Sequence, residues 1–403
     1  MGDFYQNGIV TTLHNLGYRS VEDMEAELVK FSKRRPMSLI LPSLFSELQG
    51  PALDNIVDKL VDVPYLSEVI IGLDQANKEE FEYAKKYFSR LPQRFRVIWN
   101  DGPRMKKLQQ VLEKEGLDPG AKGKGRNVWF IFGYAIASGR SEAVALHDCD
   151  IVTYSRSMLA RLLYPVANPN LTYRFNKGFY FRSNGEKLHG RVTRLLVTPL
   201  LRALKKIYGS LTFLEFLDSF RYPLAGEFSM RSDVMKTIRI PSDWGLEIGV
   251  LSEVFRNNSP NRISQSDIAD AYDHKHHPLS EENPNKGIQR MSMEIGLAIF
   301  RKLAADGQIF TAETFRTLKS TYYRIAIDTV EQYYGVAAMN GFELDRHAEE
   351  RTVEMFTNSI INAGAEFLNN PKQRSNIPTW KRVNSALPGY LDQLYEAVEE
   401  DNS

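Results

Sequence analysis

The sequence predicts an α/β domain built on a largely parallel sheet and followed by an all-helical region. Short apolar runs alternate with helix-length amphipathic runs between residue 37 and about residue 150, the pattern of βαβ units. From about residue 280 the strand signal stops and helical periodicity takes over. A chain of 403 residues is too long for one small core and suits one large α/β domain with an appended part.

Taken in order, residues 1–36 read as a polar, helical extension ending in the basic run Lys33-Arg34-Arg35-Pro36, a solvated linker face. Strands are expected over Ser38–Pro42, Glu68–Asp74, Phe95–Trp99 and Ala143–His147. Between them, helices are expected over Ala52–Leu60, Glu79–Phe88, Met105–Glu115 and Val128–Ala137. Sheets of this kind bind ligands beyond the carboxyl ends of their strands, so functional residues should follow the strands directly. Residues 284–305, 312–335 and 343–367 are periodic helices, and the acidic end Glu399-Glu400-Asp401 reads as frayed. The boundaries are therefore 1–36, 37–280 and 281–403, the last packing on the sheet domain or on a second copy of the chain; a homodimer is expected.

Composition narrows the function. Lys plus Arg is 51 and Asp plus Glu is 50, so there is no basic excess for nucleic acid, and an anionic ligand needs a local basic pocket. The single cysteine, Cys149, excludes an intrachain disulfide and favours a reducing compartment. No signal-peptide pattern opens the chain, and the strongest apolar run, Val128–Ala137, is half the length of a bilayer span. A cytoplasmic enzyme with no membrane partner is the expectation.

The sharpest chemical signal is His147-Asp148-Cys149-Asp150, directly after the fourth expected strand. In an extended segment Asp148 and Asp150 converge while Cys149 points away. Two such carboxylates repel unless a cation lies between them, and oxygen ligands suit Mg²⁺ or Mn²⁺. A pair of acids capping the next helix would look the same. So would the nucleophile motif of haloacid-dehalogenase-type phosphohydrolases, although that motif opens its domain and here three strand–helix units precede it. Five further segments are candidates. Gly120-Ala121-Lys122-Gly123-Lys124-Gly125-Arg126 combines backbone access with charge for a diphosphate, or is a mobile loop. Gly190-Arg191-Val192-Thr193-Arg194 opens an apolar helical run to Leu204, an anion site or an ordinary basic helix start. Pro223-Leu224-Ala225-Gly226-Glu227 and Trp244-Gly245-Leu246-Glu247-Ile248-Gly249 set an acid beside small residues, for a sugar or for turns. In His274-Lys275-His276-His277 one imidazole can complete a carboxylate metal site; the spacing is not that of a zinc finger.

Together, over roughly residues 37–280, these segments resemble the retaining glucosyl- and mannosyl-3-phosphoglycerate synthases of glycosyltransferase family 81, which have the glycosyltransferase A-type fold, Rossmann-like with a mostly parallel sheet. The resemblance implies a metal-dependent hexosyltransferase, with 37–280 as the nucleotide-sugar-dependent domain. It implies a nucleotide-sugar site of Pro42, Ser43, Leu44, Glu47, Asp74, Lys124, Asp148 and Cys149. Asp150 and His274 would bind Mg²⁺ or Mn²⁺. Gly190, Arg191, Val192, Thr193 and His276 would hold a small phosphorylated acceptor, 3-phosphoglycerate. Leu224 would present its carbonyl near the anomeric carbon, Glu247 would contact sugar or acceptor, and Arg191, Leu224 and Glu247 form the catalytic set. The sequence departs from the family at Pro42-Ser43-Leu44-Phe45-Ser46-Glu47, beside the base, and at His274-Lys275-His276. The first change leaves uracil and guanine open, and the second leaves 3-phosphoglycerate and glycerate open. A glucosyltransferase using UDP- or GDP-glucose is the leading reading, ahead of a GDP-mannose-dependent mannosyltransferase and of a phosphohydrolase built on Asp148.

Overall fold

The computed structural model describes residues 6, 8–242, 245–273, 287–371 and 376–403. Eight strands form one sheet: β1 (Thr11–Leu13), β2 (Met37–Leu44), β3 (Leu66–Asp74), β4 (Phe95–Trp99), β5 (Ala143–Leu146), β6 (Phe175–Arg182), β7 (Phe228–Arg231) and β8 (Ile263–Tyr272). Their spatial order is β1-β8-β6-β7-β5-β2-β3-β4. All pairings are parallel except those of β7, which runs antiparallel to both β5 and β6.

The four expected strands are β2 to β5, and the four helices between them fold as Pro51–Val61, Lys78–Phe88, Pro103–Lys114 and Lys124–Ser138. Strands β6 and β8 escape the sequence pattern because their buried faces carry polar side chains. Asn176, Ser264, Gln265 and Ser266 are all buried. Each is satisfied within the sheet: Ser264 and Ser266 meet the Asn176 side chain at 2.9 and 3.0 Å, and Gln265 reaches Thr12 and the Ser219 carbonyl. Buried polar groups persist only with such partners, and here they mask the apolar run that marks a buried strand.

Two parts of the chain differ from expectation. The expected helical extension carries a strand as well as the helix Val21–Ser32, since β1 adds to the sheet edge beside β8. Arg35 is no solvated linker residue, because its guanidinium donates to the carbonyls of Val166 and Asn168 at the end of the helix Arg156–Ala167, where a cation is favoured.

The C-terminal helices Gly287–Ala305, Ala312–Met339 and Arg346–Asn369 pack onto the sheet domain and share one apolar cluster with it. Trp380 stacks on Trp129 with ring centroids 4.0 Å apart, and each indole N–H donates to a backbone carbonyl. Gly133 leaves the room, since any Cβ there would collide with the Trp380 ring. The last helix, Tyr390–Asn402, covers the sheet edge: the Asn402 side chain pairs with both backbone groups of Val97, occupying an otherwise open edge. The acidic end is anchored. Glu399 accepts from Arg94, Arg96 and the Tyr134 hydroxyl at 2.6–2.8 Å, and Arg104 pairs with Glu400 and Asp401.

That anchor makes an acid-stability prediction. Burial disfavours the Glu399 carboxylate, but hydrogen bonds from Arg96, Tyr134 and Arg94 outweigh it and hold its pKa at about 2, against an ordinary 4.5. A group depressed in the folded state stabilises above its unfolded pKa, and that contribution disappears as pH falls through the folded value. Glu399→Gln is expected to cost roughly 1–2 kcal/mol at neutral pH and to flatten the loss of thermal stability between pH 4.5 and 2. Melting curves of both proteins across that range provide the check; parallel curves would remove the anchor.

Candidate active site

The site is assembled where the carboxyl ends of β5 and β6 meet the segment that leads into β7. The helix Lys124–Ser138 runs back along the sheet with Gly72 as its contact. Asn127 donates to the Gly72 carbonyl at 2.9 Å, and a Cβ on Gly72 would collide with Asn127. This seating sets Lys124, the first residue of the helix, over the end of β5. Its ammonium lies 2.6 Å from Asp148 and 3.5 Å from Glu247. Burial works against that charge, but the two carboxylates hold it firmly protonated.

Because β7 is antiparallel to β5, with Leu146 opposite Phe228, the segment Pro223–Glu227 comes alongside Asp148. Gly226 is required there, since a Cβ would strike the Asp148 carboxylate. Asp150 follows; burial first and the Asp148 charge second push its carboxyl up to about 7. Glu47 adds to that field. His147 is buried and neutral, its pKa pushed down to about 3 by burial, and its ring stands edge-on to Tyr154. The first residue of the motif is therefore core.

Beneath these groups lies a buried scaffold. Glu227 is fully buried and accepts from Tyr180 at 2.6 Å and Tyr272 at 2.8 Å; burial, then Asp148, raises its pKa. The two tyrosine rings stack at 3.7 Å. Lys177 donates to the Ala225 carbonyl and is pushed down to about 8 by burial. Within the segment read as a sugar contact or a turn, Glu227 thus holds the floor of the site, while the neighbouring Leu224 and Gly226 face the open space.

That space is a cleft of about 920 Å³. Eight of the expected residues line it: Lys124, Asp148, Asp150, Gly190, Arg191, Val192, Leu224 and Glu247. Gly190 takes a left-handed φ of 75°, and the helix after it opens as a π-helical turn, Val192–Val197, a form that recurs at functional sites. Thr193 sits behind this wall, buried, and its hydroxyl oxygen has no hydrogen-bond partner. Arg191 does not stand alone: Glu349, on the C-terminal helix Arg346–Asn369, accepts from Arg191 at 2.6 Å and from Arg194 at 2.8 Å.

Pro42, Ser43, Leu44, Glu47 and Asp74 lie at the ends of β2 and β3, outside the lining of this cleft. Asp74 is buried, and burial raises its pKa to about 6 against the Asn100 amide and Arg126. Cys149 turns inward, as the alternation predicts. The residue is 4% exposed and packed in the core, its thiol pushed up by burial, so its backbone is what remains for a ligand. His274 and His276 lie outside the described residues, and among the described residues no group of three or more His, Cys, Asp or Glu stands ready to hold a metal. Sequence reasoning missed Arg182, Tyr222 and Glu349, which line the cleft. The strand run Gly178-Phe179-Tyr180-Phe181-Arg182 carried a signal for the first of these, because its alternation puts Tyr180 and Arg182 on one side.

No protein-family model matches the chain. Among curated proteins it is 47% identical over 403 residues to the glucosyl-3-phosphoglycerate synthase of Persephonella marina, covering 100% of both chains. It is 38% identical to that of Methanococcoides burtonii, covering 99% of this chain and 98% of the other. Among solved structures it resembles glucosyl-3-phosphoglycerate synthase from Mycobacterium tuberculosis in complex with Mn²⁺, UDP-glucose and phosphoglyceric acid. That likeness has a TM-score of 0.53 and 20% identity over 73% of this chain and 88% of that one, and shows a common fold.

Proposed function

The chain belongs to the glucosyl-3-phosphoglycerate synthase family, and from that premise we propose that it moves glucose from a nucleoside-diphosphate donor onto 3-phosphoglycerate with retention of configuration. The observation that carries this reading is one cleft lined by two chemically distinct groups: Lys124, Asp148, Asp150 and Glu247, and Gly190, Arg191 and Val192 at the start of the π-helical turn. Glucose is preferred to mannose because both full-length relatives are glucosyl enzymes. Hydrolysis through Asp148 is disfavoured, since that carboxylate is engaged by Lys124 and backed by Gly226.

A Mg²⁺ or Mn²⁺ ion fits the donor set, which is hard oxygen and carries two converging carboxylates, one of them resisting ionisation through burial and its neighbour's charge. Asp150 would hold the ion, with Asp148 beside it; His274, the other implied ligand, lies outside the described residues. When bound, such an ion neutralises charge on the departing diphosphate. Lys124 contributes to the same end as a fixed cation. Arg191, its guanidinium steered by Glu349, orients the acceptor, and the Pro223–Glu227 segment, held by Lys177 through the Ala225 carbonyl, keeps Leu224 at the cleft wall. The departing phosphate can take the acceptor's hydroxyl proton, so the chain needs no dedicated base.

Incubation with UDP- or GDP-glucose, Mg²⁺ or Mn²⁺ and 3-phosphoglycerate tests the reading. An α-linked glucosyl-3-phosphoglycerate should form with one of the donors. Release of phosphate alone, transfer only from GDP-mannose, or a β-linked early product by proton NMR would each sink it. A homodimer and a cytoplasmic setting belong to the same reading. They are supported by exposed Tyr323, Tyr334 and Met339 on the helix Ala312–Met339 and by the single cysteine; light scattering and cell fractionation check them.

A further inference from the structure

Among the described residues, the lysines and arginines lining the cleft are matched to carboxylates with one exception. Lys124 has Asp148 and Glu247, Lys187 has Glu343, Arg290 has Glu294, and Lys122 has Asp101. Arg191 and Arg194 share Glu349. Among the described residues Arg182, at the end of β6, forms no ion pair. Its Nη1 donates to the Tyr222 hydroxyl at 3.3 Å, while its Nε is buried without a hydrogen-bond partner. A largely buried guanidinium facing only phenols is costly unless an anion arrives to meet it. The planar fork of arginine matches phosphate and carboxylate geometry.

Its place is informative. Arg182 lines the cleft on the same wall as Gly190: a Cβ built on Gly190 would lie 3.2 Å from the Tyr222 hydroxyl and 3.6 Å from Arg182 Cδ. Arg191, by contrast, has half of a carboxylate already, so its net attraction for an incoming anion is reduced. We propose that Arg182 is a binding residue of the acceptor site, its unmatched guanidinium taking the phosphate or carboxylate of the acceptor beside the Gly190 turn. This rests on the reading that the acceptor is a small phosphorylated acid.

Steady-state kinetics of Arg182→Gln and Arg182→Lys with the donor the native enzyme uses form the test. For Arg182→Gln the KM for 3-phosphoglycerate should rise on the order of 100-fold, with the donor KM and the slow hydrolysis of donor without acceptor unchanged. Arg182→Lys, which keeps the charge and loses the fork, should rise roughly 10-fold. Arg182→Gln should melt no lower than the native protein, because an unmatched buried charge is gone; a residue that merely holds the fold would lower it. An acceptor KM within two-fold of native in Arg182→Gln overturns the inference while leaving the proposed reaction standing. If Arg182→Gln fails to fold, an unchanged acceptor KM in Arg182→Lys overturns it instead. No transfer to 3-phosphoglycerate by the native enzyme overturns the reaction and this inference together.

Discussion

Asp150→Ala is expected to lower glucosyl transfer by roughly 10³-fold or more, the largest single effect anticipated for this chain. Asp150 is the proposed metal ligand, and the Asp148 carboxylate beside it is already engaged by Lys124 at 2.6 Å. Asp148 therefore cannot replace the lost ligand without giving up that ion pair. The variant should not be less stable than the native protein, because one of two mutually repelling, poorly solvated carboxylates has been removed. Loss of turnover with a normal melting temperature separates a chemical role from a structural one. Manganese binding, followed by electron paramagnetic resonance with UDP present, should fall in parallel; native-like turnover in Asp150→Ala ends the metal assignment.

Lys124→Met should produce a comparable loss of kcat/KM, about 10³-fold, and, unlike Asp150→Ala, a loss of stability. Lys124 is the cation for Asp148 and Glu247, and its charge also reaches Asp150 and Glu227. Methionine keeps the aliphatic packing and deletes the charge, leaving four carboxyl groups in one corner. Breaking a fully buried pair costs about 3–5 kcal/mol, and partial exposure of Lys124 reduces this to roughly 2–4 kcal/mol. Added Mg²⁺ should recover part of the lost stability, since a divalent ion can offset the same charges. Two variants in one corner of the cleft, one melting like the native protein and one melting lower, make the pair diagnostic. A Lys124→Met protein that melts like the native one would show that the acids are not clustered as described.

The sequence carried one half of the sheet, β5-β2-β3-β4, because these strands are apolar and separated by amphipathic helices of ordinary length. It also located the Lys124 loop, the Asp148–Asp150 pair, the Gly190–Thr193 turn and Glu247, because glycine beside charge, or paired acids after a strand, has few structural uses. The other half was illegible for a definite reason: β6 and β8 bury Asn176, Ser264, Gln265 and Ser266, whose partners are far away in the chain. Strand alternation turns the Cys149 side chain inward, as the structure has it, whereas nothing local in the sequence shows that two tyrosine hydroxyls hold Glu227 below the cleft.

What the sequence alone determines here is local: strand and helix periodicity, the loops that follow strands, and residue chemistry at short spacing. Only the tertiary structure decided which charges meet. Glu349 steers Arg191 from 158 positions away, Glu399 anchors the chain end to Arg94 and Arg96, and among the described residues Arg182 is left without an acid. Ion pairing depends on distance in space and on exclusion of water, neither of which has any period along the chain.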